Sequence, residues 1–521
     1  MDLDALICQS PGVMAHPGLP AGWVAFVLAA MTGLSAWSLW RPCPGAPRAR
    51  WLALAALPVV GPHLRAVVTR PVPLVTIRVL VAVVFLYAIY AGLLGTPIPE
   101  RNLATTLTWT FWWTGIIVAV YFVSSAWCAV CPWDALASWL VRRRLWRRGA
   151  DTASVNLRVP KSLRSTWPAL GMFVGLTWLE LGVGVTASPY ATAMLGLAMV
   201  VLATTSLALF ERKAFCRYFC SVGRTLGFYA QLSPLALRPV DPEVCARCQT
   251  LDCYHGNEDV EPCPTHLVMG RMRHNTYCTS CGACSLSCPH HNVGWRLRPT
   301  GDEAVREARP KWDEAWFVLG LLALTSFHGV TMLPFWEPWM RELARAIHDS
   351  GRLLWSFSLS MTFMLALPAA LFAVAVEATR RSARHRLEYR RLFATLALPT
   401  LPLAFAYHLA HNINHLAREG SGFGQVLLNP LGVGARPLTE SEMHLRHLQP
   451  LVHQDVLFAA QAGLLLFGFW MAVRILRHRV SRISGPGYPA AMRAMLPTLA
   501  FIALVSLFNL WLLMQPMIMR I

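Results

Sequence analysis

The chain has 521 residues, of which 55% are hydrophobic and only 14% charged, with a mean hydropathy of +0.44. That balance excludes an ordinary soluble enzyme and points to a polytopic membrane protein surrounded by lipid. The net charge of +19 would suit nucleic acid, but basic residues of membrane proteins collect in cytoplasmic loops, and no nucleic-acid partner is expected.

Apolar runs near the roughly 20 residues of a spanning helix occur at about 22–40, 75–95, 103–126, 167–186 and 191–211. They resume at about 314–334, 354–377, 393–415, 454–474 and 495–517. The stretch 51–69 is apolar but broken by Pro58, Pro62, His63 and Arg65, which suggests an interfacial or re-entrant segment. Lysine occurs only as Lys161, Lys213 and Lys311, so arginine carries nearly all the positive charge. Arginines cluster at Arg41, Arg48, Arg50, Arg65 and Arg70, and again at Arg142, Arg143, Arg144, Arg147 and Arg148. They recur through 212–311, at Arg380, Arg381, Arg384, Arg386, Arg390 and Arg391, and over 474–482. Loops 96–102, 187–190, 335–353 and 416–453 are short or poorer in arginine. By the positive-inside rule, about ten crossings with both termini outside satisfy this distribution. No cleavable signal is expected, since the first twenty residues lack a basic segment followed by an apolar one.

The fold class expected is an all-α polytopic membrane protein with an inserted cytoplasmic ferredoxin-like module carrying two [4Fe–4S] clusters. Its parts are a five-helix half over 1–211, the module over 212–312, and a histidine-rich five-helix half over 313–521.

The module is read from its cysteines. Fourteen occur in the chain. Cys278-x2-Cys281-x2-Cys284-x3-Cys288-Pro289 has the spacing that gives three thiolates to one cubane cluster and the fourth to its neighbour. Cys245-x2-Cys248-x4-Cys253, followed by Cys263-Pro264, is the same arrangement with two insertions. Exchange of the distal cysteines assigns Cys278, Cys281, Cys284 and Cys263 to one cluster. Cys245, Cys248, Cys253 and Cys288 then hold the other. Zinc is the competing ligand reading, because paired CxxC units also make tetrahedral sites. Two further pairs, Cys128-Ala-Val-Cys131-Pro132 and Cys216-Arg-Tyr-Phe-Cys220, fall where the third and fifth spans meet the cytoplasm. Four thiolates there would hold a third iron–sulfur cluster or form redox-active dithiols; ordinary interfacial packing is the alternative. Arg217 and Arg224 nearby are expected to favour the thiolate form.

At this point residues 75–300 resemble the membrane ferredoxin-type proteins of nitrate and nitrous-oxide respiration (NapH- and NosR-like). Cys216 and Cys220 match that family's CxxxC spacing, and Cys245 to Cys288 match its ferredoxin cysteines. The first pair is CxxC-Pro instead of CxxxC-Pro, Ser221 stands where proline is usual, and the large periplasmic flavin-binding domain of NosR-like members is missing. The resemblance implies electron transfer beside the quinone pool, in the bacterial inner membrane and as a subunit of a larger complex.

The C-terminal half has no cysteine beyond residue 312 but many histidines. His408, His411 and His415 fall within roughly 60° of arc on one helix face. His328 lies in the outer half of its span, and His444, His447 and His453 precede the next span from outside. Imidazoles inside a bundle commonly ligate b-type haem. His328 with His408 is the expected axial pair, and His411 or His415 with His453 a second site. A copper or zinc site, a quinol site, or a polar network with Asn412 and Asn414 are the other readings. Glu180, in the fourth span, is a candidate for proton transfer to or from a quinol, or for a helix-packing hydrogen bond.

The function expected is electron transfer among cytoplasmic and periplasmic redox partners, the clusters, and a quinone or outer-side haem. The alternative is a membrane reductase that supports copper or haem maturation on the periplasmic side.

Overall fold

A computed structural model describes residues 15–41, 51–54, 57–146, 153–351, 353–383, 388–484 and 488–518. Arg48, Arg50, Arg147, Arg148, Arg384 and Arg386, and the side chains of Arg65, His444 and His447, lie outside the described residues.

The apolar runs form helices in chain order: α1 (Ala21–Trp40), α2 (Pro71–Leu94), α3 (Leu103–Val123), α4 (Trp167–Val183), α5 (Pro189–Leu209), α6 (Trp312–Thr331), α7 (Leu354–Ser382), α8 (Tyr389–Leu428), α9 (Gln454–Ile483) and α10 (Ala491–Met514). Among the described residues nine of these are long and apolar enough to cross a membrane. The tenth expected span is the shorter α4: its last turn, Leu179–Val183, widens to a π-helix, and Gly184 at φ +79° stops it. Gly tolerates that left-handed conformation, which a side chain would strain. Within α8, Leu398–Thr400 tightens to a 3₁₀ turn around Pro399, whose missing N–H breaks the ladder.

Burial sorts the bundle. The most apolar stretches of α6 and α8 are 83% and 89% buried, whereas those of α1, α2 and α7 are 22% buried. So α6 and α8 form the interior, and α1, α2 and α7 turn their apolar residues outward, as helices facing lipid do. The loops sort into two ends. At one end, Thr96 N–H donates to Leu431 O and Leu103 N–H to Pro430 O, while β1 (Ala15–His16) pairs antiparallel with β5 (Met517–Ile518). At the other, Leu157 bridges to Phe210, Arg477 donates to Arg41 O at 2.5 Å, and Arg479 donates to Ala304 O and Ala308 O.

A cysteine-rich lobe sits on that second end. Its floor is a three-stranded antiparallel sheet in which β4 (Val293–Leu297) lies between β2 (Leu52–Ala53) and β3 (Leu235–Pro239), with Leu52 and Leu235 both opposite Leu297. Residues expected as an interfacial segment thus contribute a strand. Under the sheet, buried Glu303 accepts from Arg238, Arg298 and the Asn275 N–H. Burial alone would raise the Glu303 carboxyl, but the two guanidiniums hold it below its usual range.

Where lobe meets bundle, buried Asp134 accepts from Arg78 of α2 and from Lys213 Nζ at 2.6 Å. Removing one member of a buried ion group strands the others without compensation, at a cost of about 3–5 kcal/mol. Asp134→Ala is therefore expected to lower the melting temperature in detergent markedly. Glu337→Ala, which breaks an exposed pair with Arg341, should change stability by less than about 1 kcal/mol. Equal melting of the two variants would contradict this assignment.

Candidate functional site

Short turns aim the lobe cysteines. Cys245 lies in Pro242–Ala246, capped by Asp241, whose side chain accepts from Glu243 N–H. Cys253 lies in Asp252–His255, entered through Leu251 at φ +51°; Cys284 lies in Ala283–Ser287, entered through Ser280 and Gly282 at φ +49° and +76°. These left-handed steps reverse the chain tightly around the thiols. The structure brings Cys245 beside Cys248 and Cys288, and Cys253 beside Cys245 and Cys248. Cys263, Cys278 and Cys284 gather around Cys281. Burial pushes Cys245, Cys253, Cys263 and Cys284 above the ordinary thiol range, and Cys278 up to about 12, with neighbouring thiols adding to it.

Donors oppose that push. Leu267 N–H points at Cys263 Sγ (3.3 Å), Ser280 N–H at Cys278 Sγ (3.4 Å) and Asn292 N–H at Cys288 Sγ (3.4 Å). Asn292 Nδ2 also reaches Cys245 Sγ at 3.4 Å. The described cysteines form no disulfide. Among the described residues no group of three or more His, Cys, Asp or Glu is arranged to hold a single metal ion.

The membrane-edge cysteines converge. Ser124, at φ +55°, ends α3 and turns the chain into Trp127–Val130, which carries Cys128 and leads into Cys131. Cys216 lies in a π-helical turn, Phe215–Phe219, and Cys220 caps the helix Ser221–Tyr229, its Sγ accepting from Gly223 N–H at 3.2 Å. All four line one cavity of about 40 Å³, together with Asp134 and Lys213. The expected arginine effect is overridden: burial pushes Cys131, Cys216 and Cys220 up to about 12, and Arg224 offsets only part of this for Cys216 and Cys220. Arg224 instead ties bundle to lobe, donating to Cys216 O and to Thr276 O. Arg217 lies over the Tyr218 and Tyr277 rings.

A feature that sequence reasoning missed lies between α2, α3, α4 and α5. A cavity of about 500 Å³ is walled by Trp109, Trp112, Trp113, Trp127 and Trp133, with Glu180 as its ionisable residue. Its size falls in the range of small-molecule sites, and such sites are mostly apolar with few polar groups. Leu80 and Val84 of α2, 59% and 50% exposed, form an edge toward the lipid face. The signal was available: five tryptophans between residues 109 and 133 in one short stretch.

The histidines fall differently from expectation. His328 does not pair with His408. Its ring centroid is 4.9 Å from His411, and its Nδ1 is 3.8 Å from Glu180 Oε1. His408 Nδ1 instead bonds the Tyr229 hydroxyl at 3.1 Å. The space lined by His328, His408 and His411 is about 20 Å³, room for about one water and far short of a porphyrin. These residues as packed do not fit a haem macrocycle. His411 and His415 face each other through Nε2 atoms at 3.1 Å, and His415 Nδ1 donates to Glu419 Oε1 at 3.0 Å. His453 stands apart, 76% exposed beside Asp455. Glu180, His328, His415 and Glu419 line a second cavity of about 290 Å³ that also touches Glu100, Arg418 and Arg446.

Fold and site together describe a multi-pass helical membrane protein with a cysteine-rich lobe at one end of the bundle. The chain is 30% identical over 175 residues to the "Putative electron transport protein YccM" of Escherichia coli (strain K12), a match covering 30% of this chain and 46% of that relative. The chain thus spans about half the length of the relative it matches. No protein-family model matches the chain, and no solved structure does.

The lobe tolerates little added volume beside its thiols. A Cβ on Gly270 would stand 2.6 Å from Cys245 Cβ, whereas one on Gly171 meets nothing within 4 Å. Gly270→Ala should destabilise the lobe by about 1–3 kcal/mol through overpacking. Gly171→Ala should leave protection of the lobe amides in hydrogen exchange unchanged. Unaltered exchange in Gly270→Ala would disprove the contact.

Proposed function

We propose that this protein carries electrons between iron–sulfur clusters in its lobe and a quinone in the tryptophan-walled cavity. One observation carries the reading: the four-cysteine cavity and the apolar cavity share the walls Trp127, Trp133 and Val222. The site that would hold a redox group therefore abuts the site that would hold a lipid-soluble substrate.

The spacing of three close cysteines with a distal Cys-Pro, present twice, favours iron–sulfur clusters over zinc. N–H donors aim at Cys245, Cys263, Cys278 and Cys288, which favours the anionic sulfur a cluster needs. Cys245, Cys248, Cys253 and Cys288 would hold one [4Fe–4S] cluster, and Cys263, Cys278, Cys281 and Cys284 the second. Cys128, Cys131, Cys216 and Cys220 would hold a third. When bound, such clusters supply one-electron storage at potentials tuned by hydrogen bonds and solvent exposure. The protein's own part is to orient the thiolates, exclude water through the tryptophan wall, and take up or give protons at Glu180.

The same reading sets the topology. Ala15–His16 pairs with Met517–Ile518, which an even number of crossings allows, and the short α4 would be the tenth. The arginine-rich lobe side is cytoplasmic, in an inner membrane, with the lobe (212–312, joined by Leu52–Ala53) between membrane halves 1–211 and 313–521. The name of the Escherichia coli relative agrees with an electron-transfer role. A maturation role on the opposite face finds less support, because exposed His453 does not join His411 and His415 in one surface.

Protein purified without oxygen should contain about twelve iron atoms and as much acid-labile sulfide, four for each cluster. Stoichiometric zinc without iron would overturn the reading. Cys131→Ser and Cys220→Ser should each remove about four irons, and the double variant no more, because the ligands of one site are not additive. Full iron in both single variants would reduce the membrane-edge site to packing.

A further inference from the structure

We infer that protons of the quinone reaction leave and enter on the face opposite the lobe, through a relay formed by Glu180, His328, His411, His415 and Glu419. The inference rests on the quinone reading above and adds the side of the membrane on which its protons move. Among the described residues Glu180 is the only ionisable one in the wall of the apolar cavity, and it also lines the second cavity at the far end of the bundle. It sits on the π-helical turn Leu179–Val183, an irregularity of the kind that often marks functional positions.

From Glu180 the groups lie side by side toward Glu419. His328 Nδ1 lies 3.8 Å from Glu180 Oε1, within reach through one bridging water. The His328 and His411 rings meet edge to face at 4.9 Å between centroids. His415 Nδ1 donates to the Glu419 carboxylate at 3.0 Å, which leaves Nε2 of a neutral His415 as the acceptor for His411 Nε2–H at 3.1 Å. Each bond is thereby ordered to pass a proton toward Glu419. Thr110 Oγ1, on the π-helical turn Thr106–Trp112, donates to Glu419 Oε2 at 2.8 Å and fixes that carboxylate. Glu419 opens on the second cavity beside Glu100 and Arg446.

Oxidation of one hydroquinone to quinone breaks two O–H bonds and releases two electrons and two protons. The two electrons would leave one at a time toward the cysteine side, where Cys128, Cys131, Cys216 and Cys220 would hold a cluster that accepts each and hands it on before the next, ferricyanide being the final oxidant in the test below. The protons go one after the other to the Glu180 carboxylate and along the relay to Glu419. Quinone reduction runs the same steps backward. Electrons and protons therefore travel to opposite faces.

The test uses the full chain with its clusters, reconstituted in vesicles with the pH dye pyranine sealed inside, decylubiquinol as substrate and ferricyanide outside. Ferricyanide does not cross the membrane, so it reads only molecules whose lobe faces outward. The expected result is two protons delivered to the lumen per decylubiquinol oxidised. Glu180→Gln and His415→Gln should each slow the reaction about 100-fold, as loss of a proton-transfer group does, while decylubiquinol still quenches tryptophan fluorescence. His453→Ala, off the relay, should behave as wild type. Protons appearing outside, on the ferricyanide side, overturn the relay and leave the quinone reading standing. No decylubiquinol oxidation and no quenching, in protein with intact clusters, overturns both. Wild-type rates in Glu180→Gln and His415→Gln also overturn the relay.

Discussion

The arrangement turns on Asp134. One buried carboxylate accepts from Arg78 on α2 and from Lys213 just ahead of Cys216, while lying three residues after Cys131. Desolvating these charges is costly, and only their mutual proximity offsets it. The compensation has a geometric result: the two cysteine pairs, at least 85 residues apart in sequence, are held against one cavity wall. Losing the carboxylate would leave two buried cations beside four thiols. The adjacent tryptophan wall shares Trp127 and Trp133 with that cavity, so the apolar site depends on the same anchor.

Legibility in the sequence followed the physics of each feature. Helices facing lipid were readable, because transfer to a bilayer demands long apolar runs; α1, α2 and α7 fall close to the expected limits. The local turns that carry the lobe cysteines, such as Pro242–Ala246 and Ala283–Ser287, follow the short spacing of those cysteines. The strand Leu52–Ala53 was not, because two residues carry no periodicity and their pairing with Leu297 and Arg296 is remote in sequence. The partner of His328 was misread for a related reason. Depth along two helices fixes height but not rotation, and rotation places His408 against Tyr229 and turns His411 toward His328.

The π-helical turns were equally invisible to sequence, and they fall where the side chains of interest sit. Thr106–Trp112 carries Trp109 and Thr110, Leu179–Val183 carries Glu180, Phe215–Phe219 carries Cys216, and Glu303–Glu307 carries Glu303. An extra residue in a turn rotates everything beyond it and weakens the local ladder, a cost retained only where packing over-determines it. In α3 and α4 the two widened turns bring Trp109, Thr110 and Glu180 to the junction of the two membrane cavities.

The lobe is fastened at many points. Arg142 pairs with Glu261 at 2.6 Å, Lys213 N–H donates to Pro264 O, and Arg298 donates to Ser233 O and Ala230 O. Thr276 O packs so close to Gly227 that a Cβ there would stand 2.0 Å away. Such a lobe is a fixed socket, not a tethered arm that swings between donor and acceptor. On the electron-transfer reading, a partner would have to come to the lobe, whose rim at Cys245–Cys248 exposes Ala246 and Arg247.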